Sequence, residues 1–342
     1  MKILIIRFSS IGDIVLTTPV VRCLKQQTGA EIHYLTKKNF EKILLSNPYI
    51  DRVFSVENDI SALITMLKSM NYDYIIDLHK NLRSLRIKTA LKCKSYSFDK
   101  LNVEKWLMVN LKINILPHKH IVDRYLETVV PLGVKNDGQG LDYFIPKEDE
   151  IDIATIDPKI TQPYIAFVIG AAHATKRLPI EKIVAICDKI THPIVLLGGR
   201  EDRGHGALIA SKSKSYVVSF CGTLNLNQSA SVIKQAHKVI THDTGLMHIA
   251  AAFQKDIISI WGNTIPEFGM YPYLPQKIET SDWVNFKKES NFLEVQGLSC
   301  RPCSKIGYNA CPKGHFKCMK LMETEGFQIE TIEDFSPNKP LN

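Results

Sequence analysis

Short apolar runs recur along this chain, and each stops at small or polar residues before a helical stretch opens. In the first half the runs are Lys2–Phe8, Glu31–Leu35, Arg52–Val56 and Tyr74–Leu78; in the second they are Tyr164–Ile169, Ile194–Leu197, Val217–Phe220, Lys238–Ile240 and Ile257–Trp261. Such runs alternating with helices predict parallel strands covered on both faces. Helices are expected from the turn after Phe8 to Gly29, re-aimed by Pro19, and at Lys37–Ser46, Ile60–Met70, Val103–Leu111, His120–Leu132 and Gln228–Ala236. Between the halves, residues 133–163 gather Gly138, Gly140, Pro146, Pro158 and Pro163 with the acidic run Glu148-Asp149-Glu150, the composition of a connection. Two α/β domains follow, residues 1–150 and 151–325, with a loosely docked tail, 326–342.

Composition narrows the function. With 45% apolar and 23% charged residues, the 342-residue chain suits a globular protein with two cores. No run approaches the roughly 18 apolar residues of a membrane span. The run Ile3–Ile6 meets Arg7 too soon for a secretory signal, so the expected compartment is the cytoplasm and the eight cysteines are reduced thiols or metal ligands. A net charge of +8 favours an acidic partner, but no block of five or six like charges marks a nucleic-acid tail.

Chemistry-bearing residues fall where strands give way to helices. In Thr241-His242-Asp243-Thr244-Gly245-Leu246-Met247-His248 a strand ends near Asp243 and a helix opens at Thr244 or Gly245. Its first amides lack internal partners, a glycine admits a phosphate, and His248 faces the same way as Thr244 one turn earlier. Capping residues and a core histidine would give the same spacing. Asp-Thr-Gly is also the aspartic protease triplet, but that chemistry needs two copies and this chain has one. The first strand runs into Ser9-Ser10-Ile11-Gly12-Asp13, where a lone glycine rules out a dinucleotide fingerprint. Asp13 is a helix cap or a general base facing a cleft. His79-Lys80-Asn81-Leu82-Arg83-Ser84-Leu85-Arg86 is a solvated helix face or an anion-binding run. Gly170–Pro179 carries Lys176 and Arg177 in a loop of small residues, a surface turn or a diphosphate site.

Asp243-Thr244-Gly245-x-x-His248-x-Ala250-Ala251-Ala252 resembles the donor signature of glycosyltransferase family 9, the bacterial heptosyltransferases of lipopolysaccharide core assembly. Ser9-Ser10-x-Gly12-Asp13 is similar to the family's amino-terminal motif, and Lys176 to its phosphate-loop lysine. The resemblance implies a GT-B architecture, two Rossmann-like domains facing each other across a cleft. It implies Asp13 as the base; Lys176, Leu224, Asp243, Thr244, Gly245 and His248 around the donor, with Leu224 on adenine; and Ser10, Gly12, His79, Lys80 and Arg83 around the acceptor. Glu201 or Asp202 would reach ribose hydroxyls. The donor would be ADP-heptose and the acceptor an anionic lipid-linked core oligosaccharide, joined by one inverting displacement without metal or cofactor. The protein would be a monomer touching the inner membrane surface, with no nucleic-acid partner. The chain departs from the pattern at Ala171 and Ala172, where many members carry hydroxyls, so phosphate contacts would fall to backbone amides or Thr175. A nucleotide-sugar epimerase of the same fold is one alternative. A zinc-bearing nucleic-acid-binding protein built on Cys300, Cys303, Cys311 and Cys318 is another, and the resemblance leaves those cysteines, and any metal, outside the chemistry. The transferase reading requires Asp13 and Gly245 to line one gap.

Overall fold

The computed structural model describes residues 1–57, 60–160, 163–275, 283, 286–287 and 290–324. The expected tail, 326–342, lies outside them. The first half builds a five-stranded parallel sheet in the order β3-β2-β1-β4-β5 from β1 (Lys2–Ile6), β2 (Glu31–Lys37), β3 (Arg52–Val56), β4 (Tyr74–Asp77) and β5 (Lys94–Ser97). The second half builds a six-stranded parallel sheet, β11-β10-β9-β6-β7-β8, from β6 (Ile165–Val168), β7 (Ile194–Leu197), β8 (Val217–Ser219), β9 (Lys238–His242), β10 (Asp256–Trp261) and β11 (Phe292–Glu294). Both sheets reverse their winding beside the first strand, between β1 and β4 and between β6 and β9. In open α/β sheets that is where crevices form outside the carboxyl ends of the strands. The expected two-sheet GT-B architecture is the observed one.

The local chemistry explains the helices. α1 (Ile11–Val15) and α2 (Thr18–Thr28) replace the single helix expected before Gly29, with Pro19 in the first turn of the second, where a missing N–H costs nothing. α3 (Ser61–Ser69) lies close to its expected span, whereas residues 38–43 form a 3₁₀ turn instead of a full helix. α4 (Leu82–Leu91) starts in a reciprocal cap, the Asn81 side chain accepting from the Ser84 amide and the Ser84 hydroxyl from the Asn81 amide. α5 (Asn102–Asn110) and α6 (Ile121–Leu126) follow, and the helix expected to reach Leu132 ends early in a 3₁₀ turn at Val130–Leu132.

The connection is pinned to the first sheet's helices. Arg22 on α2 bonds Asp137 through Nε (2.7 Å), the Asp142 carboxylate, and the Gly140 carbonyl (2.8 Å). It includes a short helix, α7 (Ile153–Ile156). A second crossing was not visible in the sequence: residues 268–273 return to pack on α6. The Ile121 amide donates to the Gly269 carbonyl (2.8 Å), His120 Nε2 pairs with the Tyr271 carbonyl (2.9 Å), and the Tyr273 hydroxyl donates to Asp123 (2.9 Å). Leu101, Leu116, Ile265 and Phe268 form a small apolar cluster that joins the halves here.

Candidate active site

The second half also carries α8 (Ile180–Cys187), α9 (Arg203–Lys212), α10 (Leu226–Gln235) and α11 (Gly245–Ala252). α1 and α11 start at the switch points of their sheets and meet tip to tip. A Cβ on Gly12 would lie 2.5 Å from the His248 ring, and one on Gly245 would lie 2.7 Å from Ile11 and 3.2 Å from the Gly12 amide nitrogen. Only glycine at both positions lets the two backbones approach this closely. α1, which carries Asp13, and the tip of α11 at Gly245 are therefore in contact.

Asp13 sits one turn into α1 with its side chain 19% exposed. Oδ1 pairs with Arg7 Nη2 at 2.6 Å, while Oδ2 accepts from the Ser10 amide (3.0 Å) and hydroxyl (2.8 Å). Burial alone would raise its pKa; the Arg7 guanidinium and the two Ser10 donors outweigh that and hold the carboxyl below its ordinary range. Arg7 is aimed by the Ser9 carbonyl (2.8 Å) and the Tyr125 hydroxyl (3.0 Å). Sequence reasoning passed over Arg7 as the end of a strand. A cation six residues before a candidate base was the available signal.

On the facing side, the Thr244 hydroxyl caps α11 by accepting from the Leu246 amide (3.2 Å). Asp243 accepts from Lys176 Nζ (2.6 Å) and from the Thr264 hydroxyl (2.9 Å), so the loops after β6, β9 and β10 meet at one carboxylate. His248 is buried, and its Nδ1 has no hydrogen-bond partner among the described residues. Burial lowers its pKa to about 4, leaving a neutral imidazole against Gly12. Leu224 is half-buried in the loop before α10.

Two secondary expectations are corrected. The Thr175 hydroxyl is engaged by Tyr308, donating to its carbonyl (3.1 Å) and accepting from its amide (2.8 Å), so it is not held open toward a phosphate. Asp202 is buried, accepting from the Gly199 amide (2.9 Å) and pairing with Arg177 (3.2 Å), which removes it from ribose recognition; Glu201 stays exposed.

Two of the residues expected around an acceptor, His79 and Arg83, meet at Phe8, directly after Arg7. His79 packs edge-on against the Phe8 ring at 5.1 Å, and the Arg83 guanidinium lies over it at 5.3 Å. Burial, then Arg7 and Lys100, lower the His79 pKa to about 4. Lys80 is exposed, its amide donating to Asp77 (2.7 Å). Arg86 donates to the Ser61 hydroxyl on α3 (3.1 Å). Three cations were missed: Lys100, Lys105 and Lys305. The Lys105 ammonium has no hydrogen-bond partner among the described residues, and burial, then repulsion from Arg124, Lys305 and Lys100, brings its pKa down to about 8.

The cysteine-rich segment braces the loop after β10. Arg301 donates to the carbonyls of Gly262 (2.5 Å), Trp261 (3.3 Å) and Thr264 (3.0 Å), and the Cys303 amide donates to Asn263 (3.1 Å). Cys318 turns into the apolar core of the second sheet, and Cys300 Sγ stands 3.7 Å from His315 Nε2. Among the described residues no three His, Cys, Asp or Glu side chains come together as a metal-binding group.

This arrangement can hold an anionic phosphate at a helix tip and set a carboxylate against it. A family model described as glycosyltransferase family 9 (heptosyltransferase) matches residues 60–295. The chain is 24% identical over 301 residues to lipopolysaccharide heptosyltransferase 1 of Campylobacter coli, covering 77% of this chain and 84% of the relative. In fold it is similar to the family 9 glycosyl transferase of Veillonella parvula, with TM-score 0.69, 20% identity and coverage of 90% and 93% of the two chains. It is also similar to the ADP-heptose lipopolysaccharide heptosyltransferase II of Escherichia coli, with TM-score 0.64, 18% identity and coverage of 94% and 98%.

Proposed function

The chain belongs to glycosyltransferase family 9, and from that premise we propose that it moves a heptose from ADP-heptose to an anionic, lipid-linked core glycan by one inverting displacement. The observation that carries this reading is the contact of the two helix tips, which sets a carboxylate held ionised on one half beside the opening turn of α11 on the other. The acceptor hydroxyl oxygen attacks the anomeric carbon from the face opposite the diphosphate. The bond from that carbon to the diphosphate oxygen breaks, its electron pair leaves with ADP, and the hydroxyl proton passes to Asp13.

Arg7 and Ser10 weaken Asp13 as a base but keep it anionic, and the attacking oxygen's proton grows acidic as the new bond forms, so a weak base suffices. Lys176 and the unpaired amides of α11 take up charge on the departing diphosphate. Asp243, Thr244, Gly245 and His248 orient the donor, and Leu224 packs on its base. Ser10, Gly12, His79, Lys80 and Arg83, joined by Lys100, Lys105 and Lys305, hold the acceptor's acidic groups. The choice of ADP-heptose is supported by the name of the Escherichia coli enzyme of similar fold. An acceptor domain of residues 1–150, a donor domain of 151–325, a monomeric state and peripheral contact with the inner membrane surface belong to the same reading.

Incubation with radiolabelled ADP-heptose and a core-glycan acceptor tests it. Label should enter the acceptor with inverted anomeric configuration and release of ADP. Interconversion of the nucleotide sugar without an acceptor would instead make this an epimerase. In a thermal-shift panel of ADP, UDP, GDP and CMP, ADP should give the largest rise in Tm, since a ligand that binds only the folded state stabilises it; a larger rise with another base would overturn the donor assignment.

A further inference from the structure

Between α5 and the segments that follow β10 and β11 lies a cavity of about 280 Å³ that the proposed reaction does not use. Met108 of α5 lines it from the first half, and Ile265 and Leu298 line it from the second. Gln296 and Ser299 at its edge are exposed, so the cavity opens to solvent. Both sides lead back to the candidate active site. Ile265 follows Thr264, whose hydroxyl donates to Asp243 (2.9 Å) and whose carbonyl accepts from Arg301 (3.0 Å), another lining residue. Met108 stands one helical turn from Lys105, whose charge acts on Asp13.

The polar lining selects the ligand. Lys287 Nζ stands between Glu267 (2.7 Å) and Glu294 (2.6 Å), and Arg301 Nη2 lies 2.5 Å from the other Glu294 oxygen. These two carboxylates and two cations cancel, so neither an anion nor a cation finds an unpaired counter-charge here. One group is left over: Glu267 Oε2 is buried and has no hydrogen-bond partner among the described residues. A buried acceptor without a donor is costly, and a hydroxyl on a ligand supplies the donor. A purely apolar ligand would leave that oxygen stranded. The volume falls just under the roughly 300 Å³ at which sites for drug-sized molecules begin, which suits one sugar ring and is too small for a nucleotide. A sugar ring carries both surfaces the cavity asks for: hydroxyls at its edge, and C–H faces to pack on Met108, Ile265 and Leu298.

We propose that this cavity takes one neutral sugar residue of the acceptor glycan, a ring hydroxyl donating to Glu267, while the acceptor's acidic groups are held elsewhere. The proposal rests on the glycan acceptor of the preceding reading. Its first test reads binding without turnover, so it can fail while transfer succeeds, and the reverse. In saturation-transfer NMR with the full chain, at least one of the methyl glycosides of glucose, galactose and mannose should bind, and glucuronate should bind more weakly than methyl glucoside. Ser299→Trp, at the exposed edge, places an indole across the opening and should weaken glycoside binding at least tenfold with unchanged Tm. Glu267→Gln should weaken it as well, because one amide oxygen replaces two carboxylate oxygens; Lys287 keeps its pairing with Glu294. In turnover, Ser299→Trp should raise KM for the glycan acceptor and leave KM for ADP-heptose level. A wild-type protein that binds none of the glycosides, binding that Ser299→Trp leaves unchanged, or tighter binding of glucuronate would overturn the proposal. So would a rise in KM for ADP-heptose alone, because the cavity would then serve the donor.

Discussion

A carboxylate that must receive a proton is here paired with a guanidinium, and the pairing sets what can be measured at Asp13. Alanine would leave the buried Arg7 guanidinium with neither counter-charge nor acceptor at this position, whereas asparagine keeps the shape and an acceptor oxygen, so Asp13→Asn is the cleaner variant. Its kcat should fall by about 10²–10⁴-fold with ADP affinity nearly unchanged, as isothermal titration and initial rates would report. Retained turnover would remove Asp13 from the mechanism. Lys176→Ala deletes a charge at the helix tip; a charge-assisted contact is worth about 1.5–3 kcal/mol, so ADP should bind more than tenfold more weakly by titration. Unchanged affinity would confine Lys176 to bracing Asp243. Lys105, poised at about 8, loses its charge as pH rises through that value. KM for the anionic acceptor should therefore climb above pH 8 while KM for the donor stays level, and Lys105→Arg should abolish the climb.

Among the elements, the contact between the tips of α1 and α11 decides whether the two halves present one site. Gly12→Ala drives a methyl group into the His248 ring, and overpacking of this kind costs typically about 1–3 kcal/mol. The variant should lose several degrees of Tm, and its kcat should fall even at saturating donor, because the base is pushed away from the facing helix tip. Normal kcat in a destabilised Gly12→Ala protein would show that the tips need not touch for catalysis. The brace formed by Arg301 and Tyr308 acts on the same scale: it fixes the loops after β10 and β6 that position Thr264 and Lys176 around Asp243.

Over the whole molecule, burial leaves histidines neutral and makes stability depend on acid. Burial lowers His120 to about 3 and His242 and His248 to about 4, against an ordinary value near 6.5 once unfolded. Between pH 6.5 and 4 the unfolded chain binds protons that the folded chain refuses. Stability is therefore fully present above 6.5 and is lost as pH falls, at up to about 1.4 kcal/mol per pH unit for each histidine. The depressed carboxyl of Asp13 acts in the same direction at lower pH. Chemical denaturation at a series of pH values should give a falling free energy across that window; a flat profile would mean the rings are hydrated. By itself the sequence determined the parallel α/β sheets, the strand-to-helix turns and the residue types offered there, since apolar runs, caps and glycines act through neighbours close in the chain. Only the tertiary structure decided that Arg7 holds Asp13, that the charges of Lys105, Lys305 and Asp13 act on one another, that residues 268–273 cross back, and that Thr175 and Asp202 are committed elsewhere. Each of those facts depends on groups far apart in the chain being brought within a few ångströms, where charge, burial and hydrogen bonding act on distance and carry no trace of sequence order.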